Sequence, residues 1–83
     1  MKVTVKRKDN GRQIVSIDTE FIKLDSAMKL GNAVSSGGEA KLSIQEGLVL
    51  VNGEVCTMRG KKLRPNDTFS YRGAEYVIYS NEN

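Results

Sequence analysis

The sequence predicts an α+β fold in which two short helices form an αα corner packed on a small, strongly bent antiparallel or mixed β-sheet. Three observations predict it. Runs of alternating β-branched and polar residues are broken by Asn-Gly turns, two internal segments switch from that alternation to helical spacing, and a length of 83 residues leaves room for one small core. At this size folding buries about 60–65% of the surface that the unfolded chain exposes. The apolar share of 39% and the charged share of 28% suit a globular domain rather than a disordered tail. No apolar run approaches the ~20 residues needed to cross a bilayer.

The elements follow in order. Val3-Thr4-Val5-Lys6-Arg7 alternates, Asn10-Gly11 follows, and Gln13-Ile14-Val15-Ser16-Ile17 is a second apolar-rich run. An Asn-Gly pair between two such runs predicts a hairpin, because both turn residues must tolerate positive φ. The strands are expected at 2–7 and 12–18. From 21 to 34 the period changes: Leu24, Ala27, Met28 and Gly31 fall at helical spacing, and Gly31-Asn32 ends the pattern, so a helix is expected at 23–31. Ser36-Gly37-Gly38-Glu39 fits a capping box, in which the serine hydroxyl accepts from the Glu39 N–H and the Glu39 carboxylate reaches back to the serine N–H. The second helix is expected at 37–46, with Ala40 and Ile44 on its inner face and Gly47 as its left-handed cap. Glycine at 37 and 38 weakens the first turn by up to about 1 kcal/mol each relative to alanine, and it lets another backbone come close.

Leu48-Val49-Leu50-Val51 reads as a strand, Asn52-Gly53 as a turn and Glu54-Val55-Cys56-Thr57 as the partner strand. Pro65-Asn66-Asp67 makes a turn. Thr68-Phe69-Ser70-Tyr71 and Glu75-Tyr76-Val77-Ile78-Tyr79 form a last strand pair around Arg72-Gly73-Ala74. Residues 1–20 thus read as a basic hairpin extension, 21–79 as the domain proper and 80–83 as a frayed tail.

The formal net charge of +3 hides an uneven distribution. Lys2, Lys6, Arg7, Lys8 and Arg12 face a single acid, Asp9, in the first twelve residues, and Arg59, Lys61, Lys62 and Arg64 crowd residues 59–64. These two segments carry +4 each, so the remainder sums to −5. Concentrated positive charge on a mildly basic chain favours a polyanionic partner. The absence of an apolar stretch of signal-peptide length at the N-terminus points to the cytoplasm.

Catalytic chemistry finds no support. Histidine is absent, so Cys56 has no imidazole to activate it and reads as a small apolar residue of a strand. Asp25, Glu39, Glu46, Glu54 and Asp67 are scattered, and spacing assembles neither a metal cluster nor an acid–base pair. Gly37-Gly38 lacks the lysine and hydroxyl residue of a phosphate-binding loop. Nucleic acid fits better, because four cations in six residues can neutralise several phosphates at once. Lys41 stands near the start of the second helix, where backbone N–H groups also favour anions. Aromatic residues make up only 6% of the chain, and Phe69, Tyr71 and Tyr76 read as core, so a base-stacking platform is not evident. Readout of phosphates and duplex shape is the mode that suits structured RNA. A long recognition helix for duplex DNA is not offered.

Lys23-Leu24-Asp25, Ser35-Ser36-Gly37-Gly38-Glu39-Ala40-Lys41, Ile44-Gln45-Glu46-Gly47, Val49-Leu50-Val51-Asn52-Gly53-Glu54 and Lys61-Lys62-Leu63-Arg64-Pro65-Asn66-Asp67, in this order, make the chain from Ile22 to about Tyr71 resemble the RNA-binding domain named after small-subunit ribosomal protein four. The likeness is to its small stand-alone members, the YaaA and YbcJ type. It implies a helix pair on a bent sheet that binds structured RNA, ribosomal or transfer, and that works with ribosomal particles in assembly or translation. It implies no cofactor, no small-molecule substrate and no membrane. The RNA face that it implies comprises Lys23, Ser36, Gly37, Gly38, Lys41, Arg59, Lys61, Lys62 and Arg64, with Lys6, Arg7, Lys8 and Arg12 as an extension. Many members carry an arginine and a serine where this chain has Gly37-Gly38. The alternative is a protein-interaction module of the same fold whose basic loop meets an acidic partner.

Overall fold

The computed structural model describes residues 12–81. The elements run β1 (Gln13–Ile17), β2 (Ile22–Lys23), α1 (Leu24–Leu30), α2 (Gly37–Gln45), β3 (Val49–Val51), β4 (Glu54–Val55), β5 (Lys62–Leu63), β6 (Thr68–Tyr71) and β7 (Ala74–Ser80). A mixed five-stranded sheet has the order β1-β7-β6-β3-β4, and β2 with β5 makes a separate two-stranded ribbon. The fold is α+β, with the helix pair and the sheet that the sequence predicts.

Alternation within each strand decides what is buried. Val15 and Ile17 of β1, Tyr76 and Ile78 of β7, Phe69 and Tyr71 of β6, and Val49 and Val51 of β3 all point to one face. There they meet Leu24, Ala27 and Met28 of α1 and Ala40 and Ile44 of α2 in a single apolar cluster. Phe69 and Tyr76 are cross-strand partners whose rings stack with centroids 4.6 Å apart. The one buried polar pair among the described residues joins the layers: the hydroxyls of Ser43 in α2 and Tyr71 in β6 lie 2.9 Å apart, so neither is left unsatisfied inside.

Both two-residue hairpins use backbone that twists with the strands. Asn52 and Gly53 have φ of 51° and 88°, and Arg72 and Gly73 have 53° and 80°, the all-positive signature of the favoured hairpin turn. Gly47, at φ 78°, is the left-handed residue behind α2. Gly31 has an ordinary φ of −84°, and Asn32 takes the left-handed conformation instead at 60°. Space favours glycine at 31: a Cβ there would stand 3.0 Å from Val15 Cγ2 and 3.2 Å from Tyr76 Cδ2, so both side chains would have to give way by a few tenths of an ångström.

The N-terminal strand has a partner that its own pattern does not name. Segment 12–18 forms β1, but β1 lies parallel to β7, with Val15 opposite Ile78. The expected first arm at 2–7 and the Asn10-Gly11 turn lie outside the described residues, as do Lys6, Arg7 and Lys8. Because Val15 and Ile17 are buried in the common core, β1 is built into the main sheet. β7 likewise continues through Ser80 into the segment read as a tail, and the Asn81 N–H donates to the Ile17 carbonyl at 2.7 Å. The partner strand after Asn52-Gly53 is shorter than expected and ends at Val55.

Candidate nucleic-acid interface

The basic segment is held at three places. After β4 the chain crosses residues 56–58 without regular structure and turns at Arg59-Gly60, where the Lys61 N–H donates to the Met58 carbonyl at 3.1 Å. β5 then pairs antiparallel with β2, Lys62 opposite Lys23 and Leu63 opposite Ile22. Period-two alternation turns Leu63 into the core, fully buried, and leaves Lys23 and Lys62 exposed. On the far side Asp67 closes the loop, its carboxylate accepting from the Arg64 N–H at 2.8 Å and its own N–H donating to the Arg64 carbonyl at 2.9 Å.

The loop also caps a helix. Lys23 occupies the N-cap of α1 and offers no side-chain hydrogen bond. The free N–H groups of the first turn donate instead to loop carbonyls, Leu24 to Lys61 at 2.9 Å and Asp25 to Arg59 at 3.2 Å. Carbonyls thus face inward, toward the positive end of α1, while the exposed side chains of Arg59, Lys61, Lys62 and Arg64 project from the surface. Like charges directly opposite on paired strands repel, and Lys23 and Lys62 stand in that relation. The Lys62 ammonium lies 4.8 Å from the centre of the Phe21 ring, which offsets part of the cost.

The start of α2 forms a second patch. Ser36 Oγ accepts from the Glu39 N–H at 3.1 Å, as the capping pattern predicts. The returning contact differs by one residue, since the Glu39 carboxylate takes the N–H and hydroxyl of Ser35, at 3.0 and 3.2 Å, and not the N–H of Ser36. These bonds, with a smaller contribution from the nearby Arg72 guanidinium, hold the Glu39 carboxyl below its ordinary pKa of 4.5. A group whose folded pKa is depressed stabilises the fold above its unfolded pKa, and that contribution disappears as pH falls through the folded value. A Glu39→Gln variant is therefore expected to melt below the wild type at pH 6, with the gap closing as the pH is lowered below 4.5. Parallel thermal melts across that range test it, and a gap independent of pH would contradict it.

In front of this cap the surface is open. A Cβ on Gly37 would meet no atom within 4 Å, and one on Gly38 only its neighbour Ser36 Oγ at 4.0 Å. Lys41 is exposed one turn further along α2. The structure therefore assembles Lys23, Arg59, Lys61, Lys62 and Arg64 around β2 and β5, and separately Ser36, Gly37, Gly38 and Lys41 around the start of α2. Among the described residues no hydrogen bond or ion pair joins the two patches, which are connected through the packing of α1 on α2. Arg72 is a functional candidate that sequence reasoning missed. It reads there as a turn residue, but its guanidinium lies over the Tyr71 ring, 5.2 Å from the centre, and close enough to act on Glu39. Arg12 of the expected extension sits at the sheet edge, its Nε 3.9 Å from a Glu75 carboxylate oxygen. Cys56 is half-buried against the core, and no helix of the described residues is long and apolar enough to cross a membrane.

Two helices on a mixed sheet, with a cationic loop clamped to the first helix, are the architecture of a small domain of the RNA-binding class. The chain belongs to the S4 domain family, whose pattern matches residues 15–79. It is 44% identical over 59 residues to a Bacillus subtilis (strain 168) protein described as probable ribosome maturation protein RlbA, a match that covers 71% of this chain and 83% of that one. It is also similar to the solution structure of YbcJ from E. coli, described as revealing an alpha-L motif involved in RNA binding. There the identity is 28% and the TM-score 0.64, over 93% of this chain and 98% of that one.

Proposed function

We propose that this protein docks on folded ribosomal RNA in the cytoplasm and serves the maturation of ribosomal particles, using the loop of Arg59, Lys61, Lys62 and Arg64 with Lys23 as its main phosphate-binding surface. The observation that carries the reading is the clamped loop. Its backbone is tied to α1, its Leu63 is buried, and its cations are exposed and form no ion pair with a carboxylate among the described residues. Cations carried on an anchored backbone suit a phosphate array of fixed geometry, as a folded RNA presents. The similarity to a protein described as a probable ribosome maturation protein supports the choice of ribosomal RNA over transfer RNA.

Gly37, Gly38 and Lys41 provide a second contact in this reading, with the RNA backbone passing close to the two glycines. Replacing both glycines by alanine separates structure from binding. Nothing blocks the added methyl groups, so helix propensity is expected to raise stability by up to about 1 kcal/mol for each substitution. Affinity for RNA is expected to fall, because the methyl groups occupy the approach path. A double variant that is more stable and binds equally well would remove this patch from the interface.

The direct test is a salt titration of binding to a hairpin-rich ribosomal RNA fragment, a DNA duplex and a single-stranded RNA. Preference for the folded RNA, with log affinity falling linearly in log salt, is the expected result. Equal weak binding to all three would sink the reading and favour the alternative, an acidic protein partner for the loop.

A further inference from the structure

Next to the cationic loop lies an open groove of about 340 Å³, lined by the apolar side chains of Val55, Cys56 and Met58 and by the polar ones of Asn52, Glu54, Thr57 and Lys61. Val55 and Met58 are 61% and 63% exposed. Neither side chain serves a phosphate contact, since such contacts need donors and cations. Both side chains line a groove that also carries Lys61 and Glu54, so apolar and charged groups share one surface.

That combination matches one nucleotide. Bases inside an A-form stem cannot be reached by side chains, but an unpaired base can swing out and present its flat apolar faces. Methionine adapts its shape to such a face through its unbranched, polarisable thioether. The phosphate of the same nucleotide then needs a cation within reach, and Lys61 lines the groove itself. An uncharged apolar ligand would have no use for that ammonium group.

We infer that the groove holds a single unpaired base of the bound RNA, its faces against Met58 and Val55 and its phosphate at Lys61. The inference rests on the RNA-docking reading above, and adds a contact that selects bulges or loops over uninterrupted stems. Glu54 in the lining is an acceptor for an amino-bearing base edge, as carboxylates are for cytosine.

The experiment compares two RNA hairpins of equal length, one with a single-base bulge in its stem and one fully paired, against the full chain. The wild type is expected to bind the bulged RNA severalfold more tightly, less than the roughly tenfold or more that stacking on an aromatic ring gives. Met58→Ala, at an exposed position where folding is not at stake, is expected to abolish most of that preference and leave the salt slope unchanged. The bulged RNA is also expected to slow alkylation of Cys56 by iodoacetamide, and the paired RNA to leave it unchanged. Equal affinity of the wild type for both hairpins, with a normal salt slope, would overturn the inference while the cationic loop stands. Absence of salt-dependent binding to either would overturn the RNA reading as well. Protection of Cys56 by polyglutamate but by neither RNA would assign the groove to an acidic protein and overturn the inference.

Discussion

Replacing Arg59, Lys61, Lys62 and Arg64 together by alanine is expected to reduce the salt slope of RNA binding by roughly three to four units, since each neutralised phosphate contributes somewhat less than one. Between 50 and 200 mM salt the wild type then loses about two orders of magnitude more affinity than the variant does. Stability is expected to change little. All four side chains are exposed, and the cation–π interaction that the substitution removes, Lys62 over Phe21, is worth roughly 0.5–1 kcal/mol at an exposed site. Relief of the repulsion between Lys23 and Lys62, paired directly across β2 and β5, acts in the opposite direction. The measurement is a pair of salt titrations on one folded RNA, with a thermal melt of each protein. A variant with an undiminished slope and a normal melt would move the phosphate site elsewhere, and Arg72 with Lys41 would be the next cations to test.

Leu63→Ala is expected to have the largest effect on stability and to reach the interface through the fold. Leu63 is fully buried, on a strand of two residues whose other member, Lys62, faces solvent. Removing a buried leucine costs about 2–5 kcal/mol. A chain of this length has only about 4–12 kcal/mol to lose at 0.05–0.15 kcal/mol per residue. A fall in Tm of roughly 10 °C or more is therefore expected, at about 4–8 °C per kcal/mol for a domain of this size. Below its melting point the variant keeps every cation, yet it is expected to bind RNA less tightly, because the side chain that holds the loop to the core is gone. Denaturant titration and low-temperature binding separate the two effects. A Leu63→Ala protein as stable as the wild type would show that the loop is not anchored through this residue.

Much of this molecule is legible one segment at a time. The serine cap before α2, the left-handed Gly47 behind it and the Asn52-Gly53 turn all follow from chemistry within a few residues of each position. Helix limits fall within a residue of expectation for the same reason, at Leu24–Leu30 and Gly37–Gln45. The cations of the candidate site are equally visible, because four of them lie within six residues. Their common display is not. It depends on β2 and β5, two strands of two residues each, too short to show any period, from segments about 40 residues apart.

The same limit explains the other differences. Gly31 reads as a helix terminator, and only the approach of Val15 and Tyr76 shows how little room a side chain has there. Arg72 belongs to a hairpin turn by its sequence, and only the fold brings its charge to bear on Glu39 of α2. β1 carries the alternation of a strand, but alternation does not name a partner, and here the partner is β7, parallel and about 60 residues away. Propensity, capping and turn chemistry act over a few neighbouring residues, so the places of helices, turns and charges can be read along the chain. Which strands pair, which glycine sits in a tight space and which cations share a surface emerge only when the chain is packed. Those outcomes come from burying one small core, a condition on the whole chain that no single segment carries.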